Sequence, residues 1–268
     1  MRKFFVKVYR VLRWVVQSKE QREATRLNFL RAKRYTHFQT PLLGKSITVV
    51  DAASYVSMKN EIFVNEIYKF KTENDSPRIL DCGANIGMGV IYFKTKYPRA
   101  RITAFEPDKS LCSVLRENLA RYGIADVQIE EKALWEAEGK ISFNSEGADS
   151  GRIHALSERR EVLQVETVLL SSYLHEQIDF LKIDIEGAEY QVLKECEGSL
   201  KNVKNIFVEY HSFDDQVQVL PEILTILRQQ GFRLYVTSPG VSQRQPFLVV
   251  KSYLGMDMQL NICGVRAH

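Results

Sequence analysis

The sequence predicts an α/β fold: a mostly parallel sheet covered by helices on both faces, with an antiparallel hairpin at one edge and a helical N-terminal extension. Three observations carry this reading. Residues 78 to 236 alternate short apolar strand signals with amphipathic helix signals, the pattern of successive β-α units. A glycine-rich turn, ILDCGANIGMG at 79 to 89, ends the first of those strands and opens the first helix. The chain finishes with strand signals that have no helix between them, FRLYVTS, PFLVV and MQLNICGV, which suits antiparallel pairing at an edge.

The extension is residues 1–40 and the globular domain residues 41–268. Residues 1 to 36 hold eleven Lys or Arg against two Glu, whereas the remainder holds 26 basic and 31 acidic side chains. The body is therefore mildly acidic, which argues against a nucleic-acid partner. In the arm, Phe4, Val8, Val11, Leu12 and Val15 fall on one helical face, and Arg2, Lys3, Lys7, Arg10 and Arg13 fall largely elsewhere. That pattern, over residues 1–34, suits a helix lying on an anionic membrane surface or docking to a partner; the alternative is a helix packed on its own domain or on a second subunit of a homo-oligomer. The arm lacks the uncharged core and cleavage site of a signal peptide. Cys82, Cys112, Cys196 and Cys263 are scattered without metal-ligand spacing, so neither zinc nor a disulfide framework is expected. Reduced thiols fit a cytoplasmic location, with the arm at the inner face of the membrane.

Each element has a local reason. SITVV reads as a short strand and NEIFVNEIYKF as a helix. RILDCG is a strand, MGVIYFKTKYP a helix closed by Pro98, and RITAFEP a strand. DKSLCSVLRENLARYG is a helix from the Asp108 N-cap to the Gly123 stop. DVQIEEKALW and KISFN read as further strand, and 144 to 160 as a polar loop placed to close over a ligand. DFLKID is a strand, AEYQVLKECEGSL a helix, NIFVEYH a strand and VLPEILTILRQQG a helix.

In such a sheet ligands bind at the carboxyl ends of the strands, where strand order reverses. The glycine turn lies there, but its glycines at 83, 87 and 89 do not make G-x-G-x-x-G, and Asp81 would repel a phosphate. A cationic α-amino group would instead favour Asp81. Gly83 and Gly87 allow backbone to approach a methionine-like tail, and Asn85 tolerates the positive φ of such a turn. Glu106 ends the second strand, 23 residues after Gly83, where a carboxylate accepts both hydroxyls of a ribose. The combination suggests S-adenosylmethionine rather than a nicotinamide.

The stretch ILDCGANIGMGVIYFKTKYPRARITAFEPD resembles the cofactor half of the FkbM family methyltransferases, and DFLKIDIEGAEYQVLKECEGSLKNVKNIFVEYHS resembles their second half. The likeness runs from about residue 45 to 236 and leaves the first 40 residues outside it. It implies a Rossmann-like class I methyltransferase domain, with a cofactor half at about 76–143 and an acceptor half at about 144–268. It implies S-adenosylmethionine contacts at Asp81, Gly83, Ala84, Asn85, Gly87, Glu106, Pro107 and Asp184, with Ala133 and Leu134 beside the adenine. The expected reaction is methyl transfer to a hydroxyl of a sugar, glycan or glycosylated metabolite.

A sugar hydroxyl is a very weak acid, so its methylation needs a general base, a metal ion, or both. Asp184 and Glu186 close DFLKIDIE, and Glu209 and His211 end NIFVEYH. With i and i+2 on one face of a strand, these four side chains form an expected catalytic cup that also holds a Mg²⁺-like ion. Glu186 and Glu189 have a second reading as acidic residues at a helix N-terminus. In the polar loop, His154, Asp149, Ser150 and Arg152 are weaker contacts, while His37, His175 and His268 are expected in solvent. Lys182 and Lys194 are expected to support sheet and helix. The competing functions are methylation of a non-sugar metabolite on nitrogen or oxygen, or an inactive scaffold. An NAD oxidoreductase lacks its phosphate turn, and the N-P-P-Y motif of many base methyltransferases is missing.

Overall fold

The computed structural model describes residues 18–31, 34–145, 152–153, 161–240, 243 and 245–266. The arm face from Phe4 to Val15, and the loop residues Asp149, Ser150 and His154, lie outside them, as does His268; no side chain is described for Arg152. Among the described residues no helix is long and apolar enough to cross a membrane.

Five parallel strands form the centre: β3 (Arg78–Cys82), β4 (Arg101–Phe105), β5 (Val127–Glu130), β10 (Ile178–Ile183) and β11 (Val203–Phe213). With β12 (Phe232–Thr237) and β13 (Met256–Arg266) the order is β12-β13-β11-β10-β3-β4-β5. The remaining strands are β1 (Phe38–Leu42), β2 (Lys45–Val49), β6 (Ala133–Leu134), β7 (Gly139–Ser145), β8 (Arg152–Ile153) and β9 (Glu161–Val168). All six residues of β10 are buried, as a central strand covered on both faces requires. Successive residues of β3 serve opposite faces: Ile79 packs with Val90, Phe93 and Phe180, and Leu80 with Leu181, Val208 and Leu227. The chain builds outward from β3 in one direction through β4 and β5, and from β10 in the other through β11. The crevice between the tips of β3 and β10 is therefore the switch point.

The expected antiparallel pair at the edge is β12 with β13, but β13 lies between β11 and β12 and runs antiparallel to both. The long link from 238 to 255 consequently returns over the carboxyl ends of the strands. PFLVV is part of that link and not a strand; its apolar side chains are exposed. A second sheet, β6-β9-β7-β8, adds a strand at β9 that EVLQVETV supplies and the sequence reading did not assign.

Helices α3 (Met88–Lys96), α4 (Lys109–Tyr122), α5 (Glu189–Glu195) and α6 (Leu220–Gln229) occupy the expected stretches. Asp108 caps α4 through the N–H groups of Ser110 and Leu111, and Gly123 ends it at φ +71°. Ahead of the sheet, α1 (Lys19–Leu30) opens on a Ser18–Gln21 capping box, and α2 (Ala52–Met58) on Asp51. α2 runs into a π-helical turn at Lys59–Val64, earlier than the helix expected over NEIFVNEIYKF. Leu27 of α1 is buried, and Arg26 donates to the Gln39 carbonyl at 3.0 Å, so this part of the extension packs on the domain. The β1-β2 hairpin is tied down by buried Asn118. Its amide bonds both backbone groups of Thr48 and also donates to the Ile86 carbonyl in the glycine turn.

Candidate active site

The turn after β3 is built on backbone that only small residues allow. Gly83 has φ +85°, and a Cβ there would lie 1.8 Å from the Asp184 carbonyl oxygen. The N–H groups of Gly83 and Ala84 both donate to the Phe105 carbonyl, locking the turn to β4. Asn85 takes φ +49°, and its side chain accepts from the Ile86 N–H at 2.6 Å. Gly89 presses on Asp81: a Cβ would meet Asp81 Oδ2 at 2.7 Å. We expect Gly83→Ala to cost roughly 3 kcal/mol, combining left-handed strain with displacement of the 184 carbonyl. Chemical denaturation would measure it, and a loss under about 1 kcal/mol would show that the β3 and β10 tips separate easily.

Two buried acids mark the ends of the turn. Glu106, at the tip of β4, accepts from the Asn85 N–H at 2.9 Å and the Asp108 N–H at 3.0 Å. Burial pushes its carboxyl up to about 7 against those two bonds. Asp81 is completely buried, and its Oδ2 has no hydrogen-bond donor. Its Oδ1 lies 3.2 Å from Lys182 Nζ, which is also 3.2 Å from Asp184 Oδ2 and donates to the Gly83 carbonyl at 2.8 Å. Burial raises the Asp81 carboxyl despite this lysine. Lys182 is thus not an ordinary support of the sheet: it is the buried cation between the two acids. Lys194 keeps its expected place on a helix, over the Tyr190 ring.

The second cluster surrounds His211 on β11. Its Nδ1 faces Glu189 Oε1 at 3.0 Å, and Glu189 also accepts from the N–H groups of Ile185 and Gly187. Glu189 therefore folds back from the first turn of α5 to fix both the 184–187 turn and the imidazole. Nε2 faces Glu186 Oε2 at 3.6 Å, Glu209 Oε1 at 3.7 Å and Asp184 Oδ1 at 4.0 Å. Asp184 and Glu186 converge as expected, but not through a strand pleat. β10 ends at Ile183, and a left-handed residue at Glu186, φ +54°, swings the side chains together. Burial opposes charge on His211, but Glu186 and Glu189 outweigh it and hold the imidazolium well above the usual histidine range. Glu209, which accepts from Gln259, is pushed up to about 8 by burial and by Asp184. The ligand-capable atoms of Asp184, Glu186 and His211 all lie within 4.8 Å of one another; Glu209 stands outside that set.

Both clusters open into one pocket of about 340 Å³. It is lined by Asp81, Gly83, Ala84, Asn85, Glu106, Pro107, Ala133, Leu134, Asp184, Glu186, Glu209 and His211. Gly87, expected among the cofactor contacts, is not among the residues that line the pocket. Its φ of +88° starts α3, and a Cβ would abut Leu115, so the glycine serves the turn. Gly89 lines the pocket in its place. Sequence reasoning also missed Glu61, which the π-helical turn brings to the wall beside Ser57, 3.1 Å from its hydroxyl. Burial raises its carboxyl, with Asp184 adding to the effect.

S-adenosylmethionine fits the cofactor end of this pocket. Asp81 Oδ2, buried with no donor, awaits a cation. Glu106 at the tip of β4 has acceptor capacity left for hydroxyls, and Pro107, Leu111, Ala133, Leu134 and Phe143 give apolar walls for a base. A doubly wound sheet with this turn at its switch point and this acid on the next strand defines an S-adenosylmethionine-dependent methyltransferase. The chain belongs to the FkbM methyltransferase family, whose Methyltransferase FkbM domain matches residues 81–234. It is 31% identical to the methyltransferase sdnD of Sordaria araneosa, the match covering 64% of this chain and 80% of the relative. It is 26% identical to the hexuronic acid methyltransferase AglP of Haloferax volcanii, over 65% of this chain and 79% of the relative. The crystal structure of an S-adenosylmethionine-dependent methyltransferase from Agrobacterium tumefaciens shares the fold at a TM-score of 0.51 and 8% identity, covering 86% of this chain and 70% of that one.

Proposed function

We propose that this methyltransferase acts on a hydroxyl group of a sugar, free or carried in a glycan or glycosylated metabolite. The observation that carries this is the acid-ringed His211, set beside the cofactor end of the pocket: an alcohol needs its proton removed, and this cluster is the pocket's means of doing so. When bound, S-adenosylmethionine supplies a methyl group on a cationic sulfonium. Asp81 would hold its amino group, Glu106 its ribose, and Ala133 and Leu134 its adenine. Glu189 fixes the His211 ring with Nε2 turned toward the acceptor space. Glu61, Asp184, Glu186, Glu209 and Gln259 line that space with hydrogen-bond acceptors and one amide, a wall suited to a polyhydroxyl compound. The hexuronic acid named for AglP supports a sugar acceptor.

The same ring favours a cation at Nε2, either a proton or a divalent metal. Asp184, Glu186 and His211 are the residues that would hold a metal, which would lower the pKa of an acceptor hydroxyl beside it. A histidine among the ligands suits manganese or another transition ion at least as well as Mg²⁺. Incubation with methyl-labelled S-adenosylmethionine and neutral and acidic saccharides tests both parts. Label is expected in an alkali-stable ether. An alkali-labile ester, or transfer only to an amine, would overturn the hydroxyl assignment, and turnover unchanged by a strong chelator would remove the metal.

A further inference from the structure

We propose that the link between β12 and β13 is a membrane-docking wedge that seats the pocket mouth on an anionic lipid surface. Phe247 and Leu248 are 100% and 79% exposed, and Val249 and Val250 are about half-exposed. The segment around them is a built turn. The N–H groups of Leu248 and Val249 donate to the Gln245 carbonyl at 3.0 and 3.1 Å. Gln243 ties the base together: its amide donates to the carbonyls of Lys251 and Asp257 at 2.6 and 2.7 Å and accepts from the Lys251 N–H at 2.9 Å. The Ser252 hydroxyl donates to Asp214, fastening the returning limb to the end of β11. A polar base thus holds four consecutive apolar side chains out in water, an arrangement that calls for something to cover them. The two ends of the same link, Pro239, Gly240, Tyr253 and Leu254, line the pocket, so the tip is carried on the pocket's own wall.

Charge identifies the cover. Lys251 follows the tip and is exposed. Arg34, whose Nε is paired with the buried Asp51 at 2.8 Å, also reaches the Tyr253 hydroxyl at 3.2 Å, and the exposed Arg31 lines the same pocket as Tyr253. These arginines close the stretch of 36 residues that carries eleven basic and two acidic side chains. An apolar tip rimmed by cations matches acyl chains beneath negative headgroups. A second copy of the chain would instead set the same cations against each other. This inference stands without the sugar reading; its consequence is that the acceptor is presented at a membrane surface.

Flotation of the full chain with phosphatidylcholine vesicles, with and without phosphatidylglycerol, tests it. The protein is expected to float with the anionic vesicles and far less with the neutral ones. The double substitution Phe247→Asp and Leu248→Asp should lower that partition roughly tenfold or more, with S-adenosylhomocysteine binding unchanged. Equal flotation of the double variant would overturn the wedge. So would an intact chain that ignores lipid and forms a dimer which the double variant dissolves.

Discussion

His211→Ala is expected to lower kcat by about a thousandfold while S-adenosylhomocysteine binds within a few-fold of the parent. The imidazole is buried in the acceptor part of the pocket, away from the turn that faces the cofactor, so its loss removes chemistry and not donor binding. The pH dependence carries the sharper prediction. Its carboxylate neighbours hold His211 well above the usual pKa of a histidine, so at neutral pH Nε2 carries a proton and accepts none. Activity should therefore climb with pH into the alkaline range. Glu186→Gln removes one of the charges that retain the proton, so the rising limb should move toward acid. A profile that stays in place would take Nε2 out of the proton path. The same sign governs stability: a pKa raised on folding stabilises at low pH, and that contribution fades as pH rises through the folded value. The enzyme gains a working base over the range in which the fold gives up part of its support.

The sequence made the donor end of the pocket legible because its constraints are local. A turn at φ +85° needs glycine at 83, one at φ +49° accepts Asn85, and an acid at a strand tip follows from the end of RITAFEP. The alternation of strand and helix was equally plain, since β3 and β10, buried on both faces, read as short and mostly apolar runs. What stayed hidden depended on contacts between distant segments. Glu61 reaches the pocket only because a π-helical turn rotates it there and that turn packs beside α3, and neither follows from NEIFV. Glu189 looked like a helix-dipole residue because the partner that gives it a second task, His211, lies 22 residues away on β11. Gly87 and Gly89 exchanged roles because both belong to the same tripeptide, and only the path of the backbone decides which one meets Asp81. The link to β13 read as a strand because PFLVV has strand composition. Nothing local says that the returning strand inserts on the inner side of β12 and leaves those side chains outside.

Lys182→Met is expected to destabilise the fold by about 3–5 kcal/mol near pH 8, the cost of breaking a buried ion pair on one side. The lysine side chain is 5% exposed and that of Asp81 1%, so water cannot replace the lost cation. Lys182 also donates to the Gly83 carbonyl, so the substitution removes a bond from the glycine turn together with a charge. Its ammonium is held well above the usual lysine range: burial alone would lower it, and Asp184 with Asp81 more than offsets that. Asp81 is already raised by burial with the lysine present. Without it the carboxyl rises further and is kept neutral by taking up a proton on folding. A carboxyl raised in this way contributes stability below its unfolded pKa and loses it as pH rises, so the variant should recover part of its deficit at pH 5 and fall further behind at pH 8. Urea denaturation at the two values would read the difference. A deficit independent of pH would mean that the lysine acts through packing and its carbonyl bond alone. The variant also separates two tasks of Asp81. If the acid holds the donor's ammonium as an anion, S-adenosylhomocysteine binding to the variant should weaken at low pH, where Asp81 is neutral, even though the protein itself is more stable there. That opposition, tighter folding with weaker binding, is the signature expected of a carboxyl whose charge serves the ligand and not the fold.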